Sequence, residues 1–215
     1  MQSAISERII VLLIYIVNAM EEYRYIEEDY IDAKTLKQLN NVMVQHDFSP
    51  DEIQSKVAFN RVFSYLVKLT KEAPDYIPVY EYLFPMFNRF VMDEELEEVE
   101  NGLLQQYIAA CGRVAERDNV LSKNVPWAYM ENRPLMRGLN YKALELWREG
   151  NFEQAHNLFD AIYKCNEDDN IGARYPRKAT AEKMTLEDFE NRFVKKTSFG
   201  EVYEPEIFDW FDQSH

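Results

Sequence analysis

Three arginines flank a stretch whose pattern predicts a helical hairpin: Arg133 and Arg137 precede it, and Arg174 follows it. A guanidinium group presents a rigid fork of donors that suits bidentate binding of a carboxylate. These arginines could therefore capture a peptide carboxylate or an acidic ligand in a groove. The alternative, which we favour, is that they pair with Glu131 and Asp169 and tie the flanking segments together. The candidate contact residues, taken as a set, are Trp127, Glu131, Arg133, Arg137, Asn170, Arg174 and Tyr175.

Side chains that bind metals or act as nucleophiles are few and widely spaced. His46, His156 and His215 are too scattered for a metal triad, and no H-E-x-x-H pair is present. Cys165 would lie about 13 Å along a helix from His156, beyond hydrogen-bond reach. Cys111 is expected to be a small buried hydrophobic residue. Because phosphate-binding loops, G-x-S-x-G and dinucleotide fingerprints are also missing, the sequence predicts a protein that is not an enzyme and uses no metal or cofactor.

The charge balance bears on the class of partner. The chain carries 38 acidic and 24 basic residues, for a formal net charge of -14. Such a charge repels phosphate backbones and anionic lipid unless a basic patch is segregated, and the lysines and arginines here are dispersed. We therefore expect a protein or peptide partner, and neither nucleic acid nor a membrane.

Residues 9–17 form the longest apolar run, which at nine residues is well short of the roughly 20 needed to cross a bilayer. We interpret it as part of a buried helix rather than as a signal peptide, because the charges before it cancel and acidic residues follow it. The two cysteines cannot supply a disulfide scaffold, which fits a reducing compartment. The expected location is the cytoplasm.

Helices are the expected elements, since only 6 Gly and 8 Pro punctuate the chain. The predicted fold is all-α, an irregular array or bundle of antiparallel helix pairs. Its helices cover residues 3–25, 33–45, 49–73, 75–90, 92–114, 139–148, 152–166 and 185–194, with a capping box at 49–52 and Thr185 as a second cap. Pro85 should kink or end its helix, and the pattern lapses at 117–134, 174–178 and 198–200.

Two amphipathic helices joined by a tight turn at Gly150 form the predicted hairpin. Ala143 and Ala155 are small enough to let the helices approach closely, and larger apolar residues fill the space between them. Trp147 in the hairpin and Trp127 before it are interpreted as core anchors, because apolar residues surround both.

The hairpin resembles a tetratricopeptide repeat (TPR). Gly150, Phe152, Ala155 and Phe159 have the spacing of the repeat's G-x-Y/F-x-x-A-x-x-x-Y/F core. The wider pattern, W…ENRP…R before the hairpin and D-N-x-G-x-R-Y after it, is similar to a group of bacterial TPR-like proteins of unassigned function. The resemblance implies an α-α superhelix that continues after Arg174 and Tyr175, although Pro176 should shorten or redirect that continuation. It implies no activity.

We expect a helical domain over residues 1–175, with the TPR-like hairpin at 135–166, and a C-terminal extension over 176–215. The extension holds a short helix and an acidic, aromatic tail that either docks on its own body, which we favour, or anchors a partner. The expected function is a protein-interaction or scaffold module. The alternative is a helical small-ligand-binding protein or enzyme with its site near Glu131, Arg133, Arg137 and Arg174.

Overall fold

Helices make up most of the chain that the computed structural model describes, which comprises residues 21–45, 56–90, 94–166, 168–197 and 200–213. The nine helices in these ranges are α1 Ala33–Gln45, α2 Lys56–Glu72, α3 Pro78–Phe90, α4 Glu94–Arg117, α5 Asn132–Arg148, α6 Phe152–Cys165, α7 Arg174–Ala181, α8 Leu186–Phe193 and α9 Glu206–Asp212. Two short strands, β1 Val194–Thr197 and β2 Gly200–Tyr203, pair antiparallel between α8 and α9. The predicted all-α class is confirmed. The predictions for residues 9–17, the capping box at 49–52, His46 and His215 lie outside the described residues.

Local chemistry explains where several helices begin and end. Pro78 opens α3, where its missing N–H has no helical acceptor to lose. The Thr185 hydroxyl accepts a 3.0 Å hydrogen bond from the backbone N–H of Asp188 and so caps α8, as predicted. Gly150 ends α5 with a left-handed φ of 78°. Its N–H donates to the Trp147 carbonyl, and the next N–H donates to the Leu146 carbonyl, which is a Schellman motif.

The helices from α2 to α7 pack in series, each against the next along the chain. Helices α5 and α6 pack against each other, so the predicted hairpin is confirmed, and Ala143 and Ala155 are fully buried. The Trp147 ring lies 6.0 Å from the Phe159 ring inside this hairpin. One cluster of buried residues extends from Tyr23 to Trp210 and joins the helices into a common core.

Pro85 and Pro176 lie inside helices of the structure, which rules out one of the two effects expected of Pro85. Helix α3 runs through Pro85 to Phe90, so Pro85 does not end it. A proline inside a helix costs about 3 kcal/mol, and the complete burial of Leu83 and Met86 on either side offsets that cost. Helix α7 forms where a lapse was predicted, because Pro176 falls in its first turn, where backbone N–H groups have no helical acceptor. The boundary predicted after residue 175 therefore falls inside a helix.

Two extended segments replace predicted helix or loop. Residues 21–25 are extended, because the N–H of Tyr23 donates to the Asn124 carbonyl and the N–H of Asn124 donates to the Glu21 carbonyl. Tyr23 and Tyr25 are buried while Arg24 is exposed, which is the alternation of a strand rather than of a helix. The β1–β2 hairpin is the second case, and its four-residue strands are too short for a period of two to stand out in the sequence.

The C-terminal segment packs on its own body, as we favoured. Ile207 is fully buried and Trp210 is 7% exposed, both on α9. The Trp210 indole N–H donates a 3.2 Å hydrogen bond to Glu182, and the Lys178 ammonium lies 4.3 Å from the Trp210 ring. Lys178 also donates to the backbone carbonyl of Trp210 near the end of α9, where the helix dipole favours a cation.

Candidate functional site

Arg137 belongs to a contact that sequence analysis did not foresee. From α5 it reaches Glu81 on α3, where its Nε donates over 3.0 Å to one carboxylate oxygen and its Nη2 donates to the other. Burial alone lowers the pKa of Arg137, but the hydrogen bonds and the charge of Glu81 outweigh that effect and raise it. The guanidinium is thus held charged in a fork that already grips a carboxylate of the same chain.

Glu131 and Arg133 are also engaged, by different groups. The Glu131 carboxylate accepts a 2.9 Å hydrogen bond from Arg24 at the surface. Arg133 donates through Nε to the Trp127 carbonyl over 3.0 Å, and its guanidinium lies 5.3 Å from the Trp127 ring. Trp127 is half-buried, so it packs against the core and also carries Arg133 on its ring.

Arg174, Asn170 and Tyr175 hold the start of α7. Asp169 is buried in a left-handed conformation with φ 46°. Its carboxylate accepts from the backbone N–H of Ala173 over 2.7 Å and from the Arg174 Nε over 2.5 Å, which raises the pKa of Arg174. The exposed Asn170 donates its N–H to the Asn166 side chain. The Tyr175 ring packs edge-on against the rings of Tyr203, Phe208 and Phe211.

The favoured interpretation of the arginines is confirmed for Arg174 and wrong for Arg133 and Arg137, neither of which pairs with Glu131 or Asp169. Arg174 pairs with Asp169 as expected. Arg137 pairs with Glu81, and Glu131 pairs with Arg24. Tertiary packing decides the Arg137–Glu81 and Arg24–Glu131 pairs, since each joins residues more than 50 positions apart.

Sequence reasoning missed two buried asparagines. The Asn132 side chain donates to the Tyr23 and Pro126 carbonyls over 3.0 and 3.2 Å and accepts from the Tyr25 N–H over 2.9 Å. The Asn166 side chain donates to the Val125 carbonyl and accepts from the Asn170 N–H. Both brace the segments before and after the hairpin against it. The signal available in the sequence was the position of these asparagines, since Asn132 begins the hairpin at α5 and Asn166 follows its last residue in α6.

A cleft with an apolar lining opens between α5, α8 and the β-hairpin, and we call it the apolar groove. Its volume is about 330 Å³, and it is lined by Leu144, Trp147, Pro176, Leu186, Phe189, Glu190, Val194, Val202 and Tyr203. Val202 and Tyr203 on its rim are 48% and 43% exposed. A neighbouring cavity of about 470 Å³ shares Trp147, Leu186 and Glu190 and adds Arg148 and Glu187.

A second cavity, of about 400 Å³, lies between α3, α4 and α5, and we call it the α3–α5 cavity. It is lined by Glu81, Phe84, Pro85, Glu100, Asn101, Leu104, Tyr107, Arg137 and Tyr141. The Tyr107 hydroxyl donates to the Pro134 carbonyl at its base, and burial raises the pKa of Tyr107. Arg137 is the predicted contact residue that this cavity contains, and Glu131 lines a different cavity with Arg24 and Glu27.

Both cysteines and the histidine within the described residues are buried or hydrogen-bonded. Cys111 and Cys165 are buried thiols without a disulfide, and burial raises the pKa of both, to about 12 for Cys165. His156 shares a 2.9 Å hydrogen bond with the Arg177 carbonyl. Within the described ranges, histidine, cysteine and acidic side chains form no group of three that could hold a metal ion.

In the comparison with known proteins, no protein-family model, curated protein or solved structure matches the chain. Among the described helices, none has the length and apolar character required to span a membrane.

Proposed function

We propose that this chain is a protein-interaction module, not an enzyme, and that it holds a segment of another protein in the apolar groove. The observation that carries the proposal is the exposure of Val202 and Tyr203 beside Leu144 and Phe189. Large apolar side chains gathered on the rim of a cleft are typical of surfaces that a partner covers. Strand β2 and helices α5 and α8 supply a rigid frame for such a partner.

The arrangement of the helices supports this proposal. Helices α5 and α6 form the TPR-like hairpin, and we propose that it is a degenerate repeat whose first helix faces the partner. The arginines that might have bound a small acidic ligand are occupied by Glu81, Asp169 and the Trp127 carbonyl. The two buried free thiols suit a cytoplasmic location, which we also propose.

The groove is tested by selecting peptides from a random 12-residue library displayed on phage, with the immobilised full chain as bait. We expect enriched peptides that bind the wild type and lose about tenfold in affinity for Val202→Gln, because burying apolar rim area drives the contact. Val57 is 80% exposed on α2 and does not line the groove, so Val57→Gln is the matched control and should bind normally. Peptides unaffected by Val202→Gln, or no enrichment, would refute the proposal.

A small-ligand site around Glu131, Arg133, Arg137 and Arg174 has less support, since these residues serve separate contacts. Arg137 nevertheless lines a cavity within the usual size range of ligand sites. A thermal-shift screen with small carboxylic acids tests this alternative, because a ligand that binds the folded state raises Tm by mass action. A rise in Tm that Arg137→Gln abolishes would favour it over the interaction module.

A further inference from the structure

We propose that the partner segment is cationic as well as apolar, and that it runs along α5 from the apolar groove to the α3–α5 cavity. This inference rests on the proposed function and adds the partner's chemistry and path. It follows from three features of the described surface: a continuous face of α5, an excess of unpaired carboxylates and an aromatic wall beside one of them.

The face of α5 joins the two cavities. Arg137, Tyr141, Leu144 and Arg148 recur every three or four residues and therefore lie on one side of the helix. Arg137 and Tyr141 line the α3–α5 cavity, whereas Leu144 lines the apolar groove. Tyr141 is 43% exposed, so the side of α5 between the cavities is open. Eleven residues of helix span about 16 Å, which an extended segment of about five residues would cover.

The charges along this path favour a basic partner. Glu100 lines the α3–α5 cavity, Glu190 lines the apolar groove, and Glu187 lines the cavity next to that groove. None of the three has an ion-pair partner in the part of the chain that the structure describes. The charge of Arg137 is compensated by Glu81. Arg148 beside Glu187 is the one lining cation that lacks such compensation among the described residues. Three carboxylates against one guanidinium leave a negative rim around an apolar floor.

The α3–α5 cavity has the form of a seat for a lysine or arginine side chain. Phe84 and Tyr141 line it beside Glu100, so an aliphatic stem would contact rings while its charged end faces a carboxylate. The Phe84 ring packs edge-on against Tyr107, at 5.5 Å between centroids, which fixes this wall in place. An acidic segment would instead meet unpaired carboxylates at both ends of the path.

Synthetic peptides test the proposal. Peptides recovered with the wild-type chain are made with fluorescent labels, together with versions in which each Lys and Arg becomes Gln, and binding is followed by anisotropy. We expect the recovered peptides to be basic, to lose at least about tenfold on conversion to Gln, and to bind more weakly as salt is raised. Glu100→Lys and Glu190→Lys should each weaken binding by about fivefold.

Glu116→Lys is the matched control, since Glu116 is an exposed carboxylate on the same helix as Glu100, about 24 Å further along it. It should leave affinity unchanged. Peptides that depend on Val202 but are neutral or acidic, or are indifferent to Glu100→Lys and to salt, would overturn this inference and leave the interaction module standing. Failure to recover any Val202-dependent peptide would overturn the module itself. If a variant fails to fold, the salt dependence of peptide binding to the wild-type chain still tests the proposal.

Discussion

At the scale of single residues, Asn132 illustrates how a buried polar side chain can specify the position of a whole segment. Its amide accepts a hydrogen bond from the N–H of Tyr25 and donates to the carbonyls of Tyr23 and Pro126. The bonds to Tyr25 and Tyr23 are buried, and the bond to Pro126 is partly buried. An unpaired buried polar group costs about 1–3 kcal/mol, so these bonds matter most when they are lost. One side chain of α5 therefore supplies three of the hydrogen bonds that place the segments around Tyr23, Tyr25 and Pro126.

Asn132→Ala should lower the free energy of unfolding by about 3 kcal/mol, since it leaves the buried Tyr25 N–H without an acceptor. Urea unfolding followed by circular dichroism measures the change. Asn140→Ala is the control, because Asn140 is half-buried on the same helix and its side chain makes no hydrogen bond within the described ranges. Equal effects of the two substitutions would show that the Asn132 contacts contribute nothing.

Gly138 permits the closest approach of α4 and α5. A Cβ at this position would lie 2.2 Å from the Cys111 Sγ and 2.9 Å from its Cβ. Gly138→Ala should therefore destabilise the protein by about 1–3 kcal/mol through overpacking. Gly102→Ala on α4 meets open space and should instead stabilise by up to about 1 kcal/mol through helix propensity. Thermal unfolding of both variants tests whether their stabilities change in opposite directions. A gain in stability for Gly138→Ala would contradict the close packing of α4 and α5.

At the scale of elements, helices were predictable and their exceptions have physical causes. The spacing of apolar residues predicted the α5–α6 hairpin, and the side chain of Thr185 predicted the cap of α8, because local chemistry determines both. The helix predicted over 75–90 begins at Pro78. Pattern alone did not reveal α7 or the β-hairpin. Helix α7 depends on the buried Asp169 carboxylate, and the four-residue strands depend on packing against Tyr175 and Phe189.

The candidate site was less predictable, because it too depends on packing between residues that are distant in the sequence. Arg137 was recognised as important, but its partner Glu81 is 56 residues away and is reached only when α3 packs near α5. The apolar groove needs Val202 and Tyr203 from a hairpin that the sequence did not predict. Contacts between distant elements thus set the candidate site, whereas the net charge of -14 follows from composition alone.

The C-terminal ends of α7 and α5 predict stability changes of opposite sign for two substitutions. Helix α7 ends in the same Schellman motif as α5, but its left-handed residue is Lys183, with φ 57°. Lys183→Gly should stabilise by about 0.5–1 kcal/mol, because glycine adopts this conformation without a Cβ penalty. Gly150→Ala should destabilise by about 1 kcal/mol at the equivalent position of α5. Urea unfolding measures both changes. If the unfolding midpoints of the two variants shift in the same direction, this account is contradicted.

The docking of α9 gives a second prediction for an element. Trp210 is 7% exposed and packs 4.8 Å from the Phe193 ring, whereas Phe208 on the same helix is 54% exposed. Trp210→Ala should cost about 3–5 kcal/mol, and Phe208→Ala less than about 1 kcal/mol. Thermal unfolding of each variant provides the comparison. Similar small losses for both would mean that the tail is not part of the folded body.

At the scale of the whole molecule, buried tyrosines connect segments that no regular element joins. The Tyr25 hydroxyl donates to the Asp75 carbonyl and accepts from the Ile77 N–H, linking the extended segment to the start of α3. The hydroxyls of Tyr23 and Tyr30 both donate to Asp118 at the end of α4. Because each hydroxyl must stay protonated to donate, the fold depends on neutral tyrosines.

Alkaline pH should therefore unfold the protein cooperatively. Burial raises the pKa of Tyr30 and Tyr80 from 10.0 to about 12, and it raises the pKa of Tyr23, Tyr25, Tyr76 and Tyr107 further. Above pH 10 the unfolded chain loses protons that the native state keeps, so stability falls as pH rises from 10 through 12. Each such tyrosine contributes up to about 1.4 kcal/mol per pH unit.

Tyrosinate absorbance and helical circular dichroism, recorded along one alkaline titration, test this dependence. Part of the absorbance from the 14 tyrosines should lag behind that of the chain in concentrated urea, then rise steeply as the helical signal is lost. Tyr80→Phe removes one of the shifted groups and should make stability fall less steeply between pH 10 and 12. If all tyrosines ionise as they do in urea while the helices persist, then the tyrosine hydroxyls of the core are exposed to solvent. In that case they do not bind the segment 21–30 to α3 and α4.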